Sequence, residues 1–250
     1  MATVPASKDK GGFGETVRVV IHALLIALVI RTMLFQPFNI PSGSMKSTLL
    51  IGDYLFVSKY AYGYSRHSLP FSPPLFSGRI WAEEPKRGDI AVFKLPRDGH
   101  TDYIKRVIGL PGDRIQVREG ILYINGQEVP REKVDDFVET DEFGRKVAIP
   151  RYRETLPNGV SYTVLDENPN GFLDNTPVYE VPAGHFFMMG DNRDNSNDSR
   201  VLSQVGYVPF ENFVGRAEVI FFSLDEHASA WQIWKWPTDV RWGRLFDSLR

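Results

Sequence analysis

The stretch DYIKRVIGLPGDRIQVREGILYINGQEV, residues Asp102 to Val129, decides the fold. Apolar and polar residues alternate along most of it, the period-two pattern of a strand with one buried face. Glu119-Gly120 and Asn125-Gly126 stand between the alternating runs, and these dipeptides favour the tight turns of β-hairpins. Strands on either side of such turns pair antiparallel.

Similar runs recur outward in both directions: DYLFVSKYAYG from Asp53, GDIAVFKL from Gly88, SYTVL from Ser161, HFFMMGD from His185 and GRAEVIFFSL from Gly215. Short β-branched and aromatic runs punctuated by Gly and Pro predict a mainly β domain over residues 37–250. Residues 128–182 are more acidic and richer in Asn and Pro, which predicts an inserted smaller β region. The last twenty residues hold Trp231, Trp234, Trp236 and Trp242 among Lys235, Arg241, Arg244 and Arg250. That composition suits either a membrane interface or packing onto the domain.

At the other end, residues 1–16 are polar and Gly-rich and read as a flexible cytoplasmic tail. VRVVIHALLIALVIRTMLF, Val17 to Phe35, then spans about 28 Å as a helix, near a hydrocarbon core of about 30 Å. This predicts one transmembrane helix over 17–36, with Arg18 and Arg31 able to snorkel to the headgroups. A cleaved secretory signal has a similar apolar core, but RTMLFQPFNIPS follows with no A-x-A site, which favours an uncleaved anchor. Lys8, Lys10 and Arg18 bias the amino end toward the cytoplasm, weakened by Asp9 and Glu15.

The 250 residues, 42% hydrophobic, suffice for a sizeable core. A net charge of -2 with dispersed Lys and Arg argues against nucleic acid. The absence of cysteine excludes disulfides and thiolate nucleophiles. The five histidines, His22, His67, His100, His185 and His227, fall in no metal-ligand spacing, so no metal is expected. DENPNG, Asp166 to Gly171, matches half of an EF-hand loop, but its twelfth position is Pro177 instead of Glu, and it is discounted. An S-x-x-K match at Ser7 to Lys10 precedes the span and is discounted too.

Just past the span stands NIPSGSMKSTLLIGDYLFV, which places Ser44 nine residues beyond Phe35. No GxSxG or Ser, His, Asp order supplies a histidine base, whereas a lysine can serve if it is neutral. An exposed lysine titrates near 10.4, and lowering that to about 7 or 8 corresponds to roughly 3 to 5 kcal/mol, for which burial is the available means. Lys105, among Ile104, Val107, Ile108 and Leu110, is the best placed, sharing a strand face with Tyr103 and Val107 while Ile104 and Arg106 share the other. Periodicity alone still favours a strand-edge lysine reaching solvent. A third segment, FFMMGDNRDNSNDSR, carries Asp191, Arg193, Asp194, Asp198 and Arg200 after an apolar strand, and reads as a hydrogen-bonded loop or a solvated turn.

PSGSM at Pro41 to Met45, DYIKRVIGLPGD at Asp102 to Asp113 and MGDNRDNSNDSR at Met189 to Arg200, in this order behind an anchor, resemble the signature boxes of bacterial type I signal peptidases, over most of residues 36–222. That resemblance implies an antiparallel β-rich catalytic domain of a membrane-bound Ser/Lys protease. Its function would be to remove signal peptides from exported preproteins, cleaving after small residues at P1 and P3. Ser44 is implied as nucleophile, Lys105 as general base, and Ser42 as an oxyanion-hole donor beside the Ser44 N–H. Ser196 is implied to orient the Lys105 amine, Asp198, Arg200 and Arg106 to form a supporting charge network, and Ile40, Pro41, Tyr103 and Ile104 to hold the substrate. No cofactor is implied. The expected partners are signal peptides and the phospholipid bilayer, and the expected location is the inner membrane, single-pass, with the catalytic domain on its periplasmic or outer face. Ser47 stands where the family usually has proline, a departure that removes no catalytic group. A self-cleaving repressor of the SOS type shares the Ser/Lys pair but needs a DNA-binding region, and a non-enzymatic tethered β-domain would be indifferent to Ser44→Ala.

Overall fold

A computed structural model describes residues 13–140, 143–168, 170–226, 228 and 231–249. The tail residues Ser7, Lys8, Asp9 and Lys10 lie outside the described residues, as do His227 and Arg250. Helix α1, Phe13–Met33, has a mean hydropathy of 2.0 and buries none of its residues. It is long and apolar enough to cross a membrane. It begins before the expected residue 17, with Glu15 in its first turn where the helix dipole favours an acid. It ends before 36 because Phe35 and Gln36 already pair with Ser58 and Val57.

Strands β1 (Phe35–Asn39), β2 (Asp53–Ser58), β3 (Ile90–Lys94) and β4 (Asp102–Gly109) begin the main sheet. The chain then leaves it for three small antiparallel sheets. β5 (Arg114–Arg118), β6 (Ile121–Ile124) and β7 (Gln127–Glu128) pair in sequence, and β8 (Arg131–Lys133), β9 (Phe137–Thr140), β10 (Lys146–Ile149), β11 (Arg151–Thr155), β12 (Ser161–Leu165) and β13 (Tyr179–Glu180) follow. β14 (His185–Met189), β15 (Val208–Pro209), β16 (Phe213–Ser223) and β17 (Asp247–Ser248) return to the main sheet, whose order is β1-β2-β16-β3-β4-β14-β15 with β17 on β16. The excursion starts at Arg114, earlier than the expected 128, because β13 closes back on β5. Both expected hairpin turns form: Glu119 and Gly120 have φ of 49° and 75°, Asn125 and Gly126 of 55° and 80°.

β4 runs through the interior, between β3 and β14. One core cluster, including Met45, Leu49, Leu55, Val57 and Ile90, lies beneath the segment after β1. A second joins Val107 to Phe93, Phe186 and Phe213, and a third joins Ile108 and Phe187 to Ile115, Leu122 and Val164 of the small sheets. Each fully buried side chain of this kind contributes about 1.5 to 3 kcal/mol, so β4 is held from all sides. In the C-terminal segment Trp236 packs against Phe222 at 5.0 Å, and Arg244 pairs with Asp53 at 2.6 Å. Trp231, Trp234 and Trp242 are exposed.

Candidate active site

Ser44 sits in a single 3₁₀ turn, Gly43–Met45, directly after β1. Met45 and Leu49, both fully buried, pin the turn to the core. The turn closes through Lys46 N–H to Gly43 O at 3.0 Å, and a distant loop adds further bonds to its carbonyls. Asn192 donates its backbone N–H to Ser44 O at 3.1 Å and its side-chain amide to Gly43 O at 3.1 Å.

Lys105 arrives from β4. Its Nζ donates to Ser44 Oγ at 2.6 Å and to Ile104 O at 2.9 Å, and the side chain is 3% exposed. Burial pushes the amine down to about 8 although Asp198 and Asp191 pull it upward. The strand-edge alternative therefore fails: the lysine is on an interior strand and shielded from water. Ser42 Oγ lies 3.5 Å from Ser44 Oγ on the exposed side.

The loop after β14 holds both partners in place. An added Cβ on Gly190 would fall 2.1 Å from Ser196 Oγ and 2.6 Å from Ser44 O, so this approach needs glycine. Among the described residues Ser196 Oγ is buried without a hydrogen-bond partner of normal geometry, although it helps to lower the Asp198 carboxyl, and no bond joins it to Lys105. The amine's second bond goes to Ile104 O instead.

Asp198, Arg200 and Arg106 do not form one network. Asp198 takes two bonds from Arg200 at 2.9 Å and one from Gly190 N at 3.0 Å. Burial pushes the Asp198 carboxyl up, but Arg200 outweighs it and holds the group below the usual range. Arg106 instead grips Asp191 with bonds of 2.9 and 2.6 Å, and Thr48 donates to the same carboxylate at 2.5 Å. The fork geometry of Arg lets each carboxylate take two parallel bonds from one guanidinium, which separates the two pairs.

Several contributors are ones to which the resemblance assigns no role. Asp191 ties the second and third segments to Thr48 of the first. Glu154, on β11, pairs with Arg193 and accepts from Tyr162 Oη at 2.7 Å, while Leu165 N donates to Asp191 O at 2.9 Å. The small sheets thus buttress the loop behind Ser44 and Lys105. Ser47 Oγ meets Thr163 Oγ1 at 2.7 Å, a further link to β12. Asp166, Asp174 and Asp194 converge to within 4.8 Å, where Arg131 pairs with Asp166 and backbone N–H groups donate to the other two.

A cleft of about 550 Å³ opens over the Ser44–Lys105 pair, walled by Phe38 to Pro41, by Asp102 to Ile104 and by Asn195 and Asn197. Among the described residues β1 pairs only with β2, and the β14 pairing of β4 begins at Arg106. Both walls therefore present free strand edges. Ile40 itself is 3% exposed, and its N–H and carbonyl bond Asp53 O and Gly52 N, so it shapes the wall more than it offers backbone.

The chain matches the family described as Signal peptidase, peptidase S26, over residues 13–222. A Signal peptidase I of Rickettsia typhi is 44% identical over 245 residues, covering 90% of each chain. A Signal peptidase I of Rickettsia conorii is 49% identical over 245 residues, covering 90% of this chain and 89% of that one. A crystal structure of a signal peptidase I from Enterococcus faecalis V583 is 26% identical, covering 54% of this chain and 97% of that chain with a TM-score of 0.32. Since identity at this level extends over nine-tenths of the chain, and the family match alone takes in most of it, the chain belongs to the signal peptidase family, peptidase S26.

Proposed function

We propose that this protein removes N-terminal signal peptides from exported preproteins, with Ser44 as nucleophile and Lys105 as general base. One observation carries the reading: a lysine amine shielded from water lies 2.6 Å from a serine hydroxyl on the floor of a cleft with free strand edges. An extended peptide adds to such edges by backbone hydrogen bonds, and cleavage follows small residues at P1 and P3.

The neutral amine takes the Ser44 proton as the alkoxide attacks the scissile carbonyl. The ammonium so formed gives its proton to the leaving amine, and an acyl ester remains on Ser44. Lys105 then takes a proton from water, whose hydroxide attacks the ester, and returns that proton to Ser44 Oγ as the signal peptide leaves with its new carboxyl group. Charge on the carbonyl oxygen is met by Ser44 N–H and Ser42 Oγ. Ser196, whose buried Oγ is not bonded to Lys105 in the resting arrangement, would turn to take the amine's remaining N–H, while Asp191 with Arg106 and Asp198 with Arg200 position the loop.

The same reading makes α1 the single span in a bacterial inner membrane. Residues 37–250 then form the catalytic domain on the periplasmic or outer face, where translocated signal peptides arrive anchored in the same bilayer. The test is incubation of the detergent-solubilised full chain with a preprotein. Wild type should release the mature protein, and Ser44→Ala and Lys105→Ala should not. Release at the wild-type rate by both variants refutes the pair.

A further inference from the structure

A second cavity, about 480 Å³, lies where α1 ends against the β domain; it does not include Ser44 or Lys105, although Asp102 lines both it and the cleft over that pair. Arg31, in the last turn of α1, lines it together with Lys59, Lys94, His67, His100 and Asp102. Three of these are full cations and only Asp102 is an acid, already paired with Lys94 at 2.9 Å. Neither Arg31 nor Lys59 has a carboxylate within ion-pair distance among the described residues. Lys59 is 3% exposed, and among the described residues its Nζ donates only to the Ser68 carbonyl, at 2.6 Å.

Like charges held together in a partly dry cavity repel, and an anion between them would relieve this. The depth of the cavity says which anion. Arg31 stands two residues before the end of an apolar helix of 21 residues, the level at which the hydrocarbon of a bilayer gives way to phosphates. Phe71, at the cavity mouth, is fully exposed with φ of 64°, an apolar ring presented outward in a conformation that non-glycine residues seldom adopt.

We propose that this cavity binds the phosphate of one phospholipid headgroup, gripped by Arg31 and Lys59, with Phe71 among the acyl chains. The bound lipid would fix the domain's height and tilt relative to α1. This rests on α1 being a membrane span, but its test reads lipid and not cleavage, so its failure leaves the peptidase reading standing.

The test is native mass spectrometry of the full chain, extracted in detergent and offered phosphatidylglycerol or a diacylglycerol with the same acyl chains. Wild type should retain one phosphatidylglycerol and no diacylglycerol. Arg31→Gln and Lys59→Gln should each lower the retained fraction about tenfold, the loss expected for one charge-assisted bond. Arg31 is exposed on its helix, so Arg31→Gln decides if Lys59→Gln fails to fold. Equal retention of the two lipids, or wild-type retention by Arg31→Gln, overturns the proposal. Thermal stabilisation by millimolar inorganic phosphate as large as that by the lipid also overturns it, because the site would then take a free anion.

Discussion

Two lysines of this protein are equally buried, Lys59 beside the end of α1 and Lys105 beneath the cleft, each 3% exposed. Burial pushes both amines down to about 8. Their surroundings then diverge. After burial, Arg31 lowers Lys59 further, outweighing the pull upward from Asp102, and the Lys59 Nζ bonds a carbonyl, which only accepts. Lys105 is pulled back up by Asp198 and Asp191 and bonds a hydroxyl, which can give a proton. A depressed lysine is thus common to both regions, and what separates a base from a bystander is the acidic hydrogen within reach and the cleft above it.

The largest expected effect falls on one side of this comparison. Ser44→Ala should reduce preprotein cleavage to background, and Lys105→Met should lower kcat by about 10²- to 10⁴-fold, the share usual for a general base. Lys105→Met should also unfold at no lower temperature at pH 7, since it removes a charge whose burial costs about 3 kcal/mol. A thermal melt beside the kinetics checks both halves. Ser42→Ala should cost about 2.7 to 4 kcal/mol in activation free energy, read as kcat with KM little changed.

Asp198→Asn probes the surroundings of Lys105. It breaks a buried pair, for which about 3 to 5 kcal/mol of stability should be lost in a denaturant titration. It also removes a charge that raises the Lys105 pKa, so the pH midpoint of cleavage should move to lower pH. The smallest effect is Arg31→Gln, which removes a charge that lowers Lys59 and should raise its pKa, followed by NMR of the labelled lysine. The cleavage midpoint should stay where it is. A midpoint that follows Arg31 would mean that the wrong lysine has been made the base.

How far the sequence foretells these regions depends on the range of the interactions. The turns at Glu119-Gly120 and Asn125-Gly126 are legible because left-handed turn preferences are local. The strand character of Asp102 to Gly109 is legible for the same reason. The burial of Lys105 is not, because period-two patterning gives a face but cannot say that β14, some eighty residues later, will cover the strand. The resemblance to signal peptidases supplied that assignment, and the geometry of Ser44 and Lys105 fits it. It also suggested one charge network, whereas Arg106 belongs to Asp191 and Arg200 to Asp198. Pairing among several like charges in one loop is a matter of angstroms that spacing does not encode. Glu154 and Lys59 carry no local signal at all, since each acquires its role from residues of other segments.

The most direct test of the Ser44–Lys105 assignment is the pH dependence of kcat/KM for preprotein cleavage by the full chain, from about pH 5 to about pH 10. A lysine with its pKa lowered to about 8 is neutral above that pH and protonated below it. The rate should therefore fall about tenfold per unit below a midpoint near 8 and level off above it. A profile flat down to about pH 5, or one whose midpoint lies in the ordinary lysine range above about 10, would contradict a buried Lys105 acting as the base.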